Sequence, residues 1–472
     1  MKINLRFIAV LLVVSFTKVN AQFPSQNITM LSNFDLPSVP SEPTFGIRYN
    51  GIWGWHDGAG NEYGFIGATN GVFIVDVTNP TTPVQRDFVP GCVTGCIWRE
   101  LKTYQNYLYM VSDDGGPNCL QIADLSYLPD SVHIVYQSDS IFRRSHTIFI
   151  DGDKLYCGYV TGGVFGGSTS MAVFSLANPA LPLLLRNLLD DDPSIGQVHD
   201  MYVRNDTVYA SAAYDGLQIY RFDTIINQFT KLASLTNYPF SGYNHSSVLT
   251  SNSNTLIFAD EVNPGLPLKA YDITDLQNMT LGSTFRSTPT STATPHNPFM
   301  ANDHDLVVAY YQDGIQLFDA GNPANIVRTG FFDTSPNNGA GLPNPNYSGC
   351  WGAYVDLPSG LILASDMQNG MFVLDAGSIL ATPYITSENN IVAVYPNPAA
   401  DILKLNLNTN TNDLVIAIYN LSGVLLSTKK VTADIGNTTT VSMDVKELTD
   451  GVYVVKITGN NYSAIQKFTK LN

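Results

Sequence analysis

Polar and apolar positions along this chain alternate with a period of two over short runs, and the runs come in sets. "YGFIGAT", "NYLYMVS", "KLYCGYV", "TVYASAA", "TLIFADE", "DLVVAYY" and "GLILASD" are one such set. Each is followed by a second run: "GVFIVDVTNP", "NCLQIADLS", "SMAVFSLANP", "GLQIYRFD", "PLKAYDITD", "GIQLFDAGNP" and "GMFVLDA". Apolar alternation bounded by Gly, Asn, Asp and Pro predicts β-strands joined by tight turns. No stretch sustains a helical period with caps, so the predicted fold class is all-β. An aromatic content of 11% with only 14% charged residues and 37 glycines suits the same reading.

The second run gives the repeat its register. Its anchor positions are Asp76, Asp124, Ser175, Arg221, Asp272, Asp319 and Asp375, stepping by 48, 51, 46, 51, 47 and 56 residues. A second marker lies 20 to 29 residues before each anchor: His56, Trp98, His146, His199, His245, His296 and Trp351, which places five of the seven histidines at one equivalent position. Units of about fifty residues with four antiparallel strands have the size of a propeller blade, and seven of them close a ring that leaves only short edges. The last unit lacks a fourth strand of its own. "NITMLSNFDLP" (Asn27 to Pro37) has the texture of one, and it is predicted to complete that blade from the other end of the chain.

In a propeller the first strand of each blade lines the central channel. The seven markers are therefore the candidate ligand-contacting residues, although a polar residue repeated at a strand start also serves to satisfy backbone groups between blades. A ring of histidines across a channel is expected to be spaced too widely for one four-ligand ion, so neither metal nor cofactor is predicted; an acidic surface would tolerate a divalent cation. Trp53 and Trp55 are further aromatics near an inner strand. Signatures of catalysis are missing from the sequence: there is no G-x-S-x-G, no H-E-x-x-H and no phosphate-binding loop. The acidic loop "DDDPS" (Asp190 to Ser194) lacks the alternating ligand spacing of a calcium loop.

The ends of the chain differ from its middle. Residues 1–21 combine Lys2 and Arg6, an apolar run from Phe7 to Phe16 and a small-residue cleavage site at "VNA", the pattern of a signal peptide. Residues 22–388 form the repeat region, and residues 389–472 a small β-sandwich of about seven strands after the polar link "SENN". Between the signal and the last 84 residues, 34 acidic side chains face 14 basic ones, which argues against nucleic acid or an anionic membrane as partner. Beyond the signal nothing approaches eighteen consecutive apolar residues, so no transmembrane span is predicted. Of five cysteines, Cys92 and Cys96 are close enough for a small loop bridge and Cys119 with Cys157 is a second candidate pair; spacing leaves the connectivity open.

Four segments near the C-terminus carry a resemblance. Tyr395-Pro396-Asn397-Pro398, the Y-N-x-x-G turn from Tyr419 to Gly423, the L-x-x-G-x-Y segment with Gly451 and Tyr453, and the closing Lys467-Phe468-Thr469-Lys470 resemble the type A C-terminal sorting domain of the bacterial type IX secretion system. That resemblance implies the secretion machinery as a partner and export through the periplasm, either into the medium or onto the outer-membrane surface. The stretch "FIVDVTNPTTP" is similar to the LVIVD repeat, and the seven-unit ring resembles the choice-of-anchor B family, with Ser175 and Arg221 departing from its Asp anchor. It carries no catalytic assignment onto these positions. The expected function is a secreted or cell-surface propeller that binds an extracellular ligand or protein. Two alternatives stand beside it: a hydrolase or lyase using His199, Asp200 and His146 in the funnel, and a structural adhesin or surface-layer component.

Overall fold

Asp and Asn residues at the strand ends give the chain its punctuation. In the computed structural model, which describes residues 23–472 apart from 115, 117, 338, 378–390, 409–412, 421–424, 433–437, 460–461 and 472, six anchors cap their strands as Asx or Ser turns. Asp76, Asp124, Ser175, Asp272, Asp319 and Asp375 each accept from the amide two residues on, at 2.7–3.2 Å. In the fourth unit Arg221 holds the equivalent register, opposite Thr207, but the hairpin runs two residues further and Asp223 makes the turn to Ile225. The departure at Arg221 is thus a longer hairpin rather than a lost turn.

Among the described residues the larger unit, Met1–Thr382, forms seven antiparallel sheets, five of them runs of consecutive strands and two that also take a strand from the N-terminal end. Blade 1 spans Tyr49–His56, Glu62–Ala68, Gly71–Asp76 and Val84–Pro90; blades 2 to 6 repeat the pattern up to Val327–Phe332. Blade 7 takes Cys350–Tyr354, Ile362–Asp366 and Gly370–Asp375, and its fourth strand is Thr29–Phe34, antiparallel to Gly370–Asp375. Just upstream, Ser25–Gln26 adds a fifth strand to blade 6. The first strands of successive blades touch around a closed ring, and the last meets Tyr49–His56 again. This is a seven-bladed β-propeller. Its core is a series of apolar layers between blades, as where Phe34 and Phe73 meet edge-on at 6.0 Å.

The disulfide joins Cys92 to Cys119, with Cα atoms 6.0 Å apart, and so corrects the expected Cys92–Cys96 bridge. The reason is orientation. Cys96 points into the interior, where its sulfur lies 3.7 Å from the Asn118 amide nitrogen, leaving Cys92 to face the hairpin that carries Cys119. Cys96, Cys157 and Cys350 are free and buried.

The second unit, Pro383–Asn472, packs a sheet of three strands against one of four, with Leu405, Ile416, Val455 and Phe468 in its core.

Candidate functional site in the central funnel

The inner strands of blades 1 and 3 to 7 begin with an irregularity that re-aims one side chain. In blades 5, 6 and 7 the pairing skips one residue: His245 between Asn244 and Ser246, His296 between Pro295 and Asn297, Trp351 between Cys350 and Gly352. In blades 3 and 4 the His146 and His199 amides bond the residue that already faces their successors, Gly158 and Ser211. Such bulges turn a side chain out of the pleat, here toward the axis. Trp98 directly precedes the first strand of blade 2, Arg99–Tyr104.

His56 does not belong to this set. It ends the eight-residue strand Tyr49–His56 and is exposed at the far end from the bulge, outside the funnel lining. The bulged position of blade 1 is Asn50, buried, whose side-chain amide donates to the Ile97 carbonyl at 2.9 Å. A long first strand put a histidine within repeat distance of the anchor without putting it at the repeat position.

The remaining markers form a continuous arc. Ring centroids lie 6.5 Å apart for Trp98 and His146, 4.1 Å for His146 and His199, 4.3 Å for His199 and His245, 4.4 Å for His245 and His296, and 4.5 Å for His296 and Trp351. Adjacent imidazoles are in contact, which corrects the expectation of wide spacing. The residues line a cavity of about 640 Å³ that also takes in Trp53 and Lys102.

The tautomers of His199, His245 and His296 are fixed by the next marker along the arc. His199 Nδ1 donates to the His245 carbonyl and His245 Nδ1 to the His296 carbonyl, both at 3.1 Å, and His296 Nδ1 to the Trp351 carbonyl. A carbonyl can only accept, so the proton sits on Nδ1 and Nε2 keeps its lone pair. Thr147 and Ser246 hydroxyls reinforce the chain by donating to the His199 and His296 carbonyls. These bonds do satisfy backbone groups between blades, yet they leave the Nε2 atoms of His199, His245 and His296 for the funnel.

Charge differs along the arc. Burial, with His146 and His245 as neighbours, holds His199 well below the usual imidazole range; burial holds His245 and His296 at about 3. His146 is the exception. Burial works against its cation, but the Asp113 carboxylate, 2.6 Å from Nδ1, more than offsets it and raises the pKa. Below His146, burial and the Glu100 carboxylate push Asp200 up to about 7. Glu100 itself pairs with Lys102, whose ammonium lies 4.1 Å from the centre of the Trp53 ring.

Asp113, Glu261 and Tyr311 were missed by sequence reasoning. Each follows the second strand of its blade directly, after Tyr107–Ser112, Thr255–Asp260 and Asp305–Tyr310. An antiparallel hairpin returns that end beside the start of the first strand. The residue at or just past the end of each middle run was therefore the signal. Tyr311 donates to Glu261 Oε1 at 2.7 Å. The acidic loop Asp190 to Ser194 is used structurally: Asp191 clamps Arg186 and the Phe229 amide, and Asp192 takes Lys231 and Tyr220.

In the smaller unit, Asn397 Oδ1 accepts from the Thr469 amide at 2.9 Å, and Ala399 exchanges backbone bonds with Thr469 and Leu471. The Tyr395–Pro398 opening thereby clasps the segment Lys467–Lys470; Lys467 is exposed and Lys470 buried. Gly451 opens the strand Gly451–Gly459, in which Tyr453 is buried 5.7 Å from Phe468 and donates to the Thr449 carbonyl. Gly423 and residues 1–21 lie outside the described residues.

Residues 393–470 match the family described as the secretion system C-terminal sorting domain. The chain therefore carries a type IX sorting domain, which implies recognition by that machinery and export to the cell surface or medium. Among the described residues no helix is long and apolar enough to cross a membrane. No curated protein matches the chain. Among solved structures it is similar to a protein from Lactobacillus plantarum, 12% identical, covering 84% of this chain and 99% of that one at a TM-score of 0.48. It is also similar to a candidate 6-phosphogluconolactonase from Bacteroides fragilis, 10% identical, covering 87% and 100% at 0.47.

Proposed function

We propose that this protein is an exported ligand-binding propeller whose ligand enters the central funnel and is held by the arc from Trp98 through the four histidines to Trp351. The observation that carries the reading is convergence: about 640 Å³ of concave space lined by aromatic faces and a few oriented polar atoms, the usual make-up of a small-molecule or peptide-end site. The domain plan that goes with it is a signal over 1–21, the propeller over 22–388 and a sorting domain over 389–472. Its repeats we assign to the LVIVD type, on the third strand and Asx turn of "FIVDVTNP" and its counterparts.

The test is a screen of glycans and peptides against the exported chain, with Trp98→Ala and His146→Gln variants. A ligand bound by wild type and weakened at least roughly tenfold in both variants at unchanged melting temperature supports the reading. Unaltered affinity in both moves the ligand to the loops. A second reading, acid–base catalysis in the same funnel, is favoured by one observation: Asp200 at about 7 is poised near neutrality beside the His146–Asp113 pair. Turnover that Asp200→Asn removes, with binding kept, would select it.

A further inference from the structure

Between blades 4 and 5 three lone-pair-bearing atoms converge. His199, His245 and Glu261 offer ligand atoms that all lie within 4.8 Å of one another. Both imidazoles spend Nδ1 on backbone carbonyls, so the nitrogen each can offer is Nε2. His245 Nε2 stands 3.8 Å from Glu261 Oε2, while Glu261 Oε1 is occupied by the Tyr311 hydroxyl. Both histidines are at least 93% buried, and the side chain of Glu261 is 15% exposed.

With the tautomers fixed in this way the group contains three acceptors and no donor. A water molecule has two protons and cannot serve three acceptors at once. A cation can. We infer that His199, His245 and Glu261 form a binding site for a zinc-class divalent cation in the funnel wall.

The chemistry of the set supports this. Two neutral imidazoles and one carboxylate suit borderline divalent ions, whereas calcium and magnesium ask for oxygen ligands. Each ligand also has the outer partner that metal-binding side chains usually have: a backbone carbonyl behind each imidazole and a tyrosine hydroxyl behind the carboxylate. Tetrahedral zinc with ligands at about 2.1 Å separates them by about 3.4 Å, a contraction that small side-chain rotations supply. Three protein ligands leave a fourth position, and the cavity faces it. The inference deepens the proposed function, since an ion there would hold an oxygen or nitrogen atom of the funnel ligand.

The experiment uses the exported chain, stripped with a chelator and titrated with zinc chloride alone by calorimetry. One equivalent bound, with magnesium giving no heat, is the expected result. Glu261→Gln, which keeps an oxygen for Tyr311 but loses the charge, is expected to weaken zinc by roughly tenfold or more. No stoichiometric zinc, or undiminished zinc in a folded Glu261→Gln, overturns the site. Should that variant not fold, cobalt(II) bound to wild type decides: a four- or five-coordinate visible spectrum without thiolate charge transfer supports the site, and a six-coordinate spectrum overturns it. Because the probe is the ion alone, failure here leaves the funnel's binding of an organic ligand standing, and failure of the glycan and peptide screen leaves the zinc result untouched.

Discussion

At the scale of residues, burial decides which groups carry charge. Asp366 is fully buried in blade 7, accepting from the Thr334 hydroxyl at 2.7 Å and the Gln368 and Asn369 amides at 2.9 Å. Desolvation outweighs these bonds and raises its pKa from 3.8 to about 6. The folded state thus holds this proton more tightly than the unfolded chain. Its contribution to stability is complete below the unfolded value and is lost as pH rises toward the folded one. Asp366→Asn removes the dependence. The melting temperature of the variant minus that of wild type is expected to grow between pH 4 and 6 and then level off, as scanning calorimetry would show; a flat difference would contradict the assignment. The histidine arc was only partly legible at this scale. Repeat spacing selected His146, His199, His245, His296 and both indoles, but it also admitted His56. Spacing along the chain cannot tell the two ends of an eight-residue strand apart, whereas the bulge at Asn50 can.

Among the elements, the strand Thr29–Phe34 is the one whose partner is farthest away in sequence. It covers the outer edge of Gly370–Asp375 and buries Phe34 against Phe73, with Leu31 and Leu36 beside them. Without it blade 7 presents an open edge and an uncovered apolar layer. Deleting residues 22–40 is expected to cost about 5 kcal/mol, the burial of two to three large apolar side chains, and to promote aggregation. Chemical unfolding of the deleted and full chains measures this, and coincident transitions would reject the closing role. The strands themselves were legible from alternation. Cysteine pairing was not, because sequence distance made Cys96 the nearer partner while the fold turned its sulfur inward.

For the whole molecule, the sorting domain and the propeller are separate units. The sorting domain closes on itself through Asn397, Ala399 and the final strand. A chain ending before Tyr395 should therefore still fold its propeller yet remain in the periplasm of a host with type IX secretion. Fractionation followed by immunoblotting checks this, and surface or medium recovery equal to that of the full chain would disprove it.

By itself the sequence determined the all-β class, the seven units, the strand that closes the ring and the sorting signals. All four depend on local periodicity, turn chemistry and short motifs, which are properties of neighbours along the chain. Tertiary structure alone decided which cysteines pair and how closely the histidines stand. It also decided that Asp113, Glu261 and Tyr311 join them. Those facts depend on where the start of one strand and the end of the next meet across a hairpin, and on how closely the inner strands of neighbouring blades pack. Distances across a ring are set by the packing of all its blades, and no single repeat encodes them.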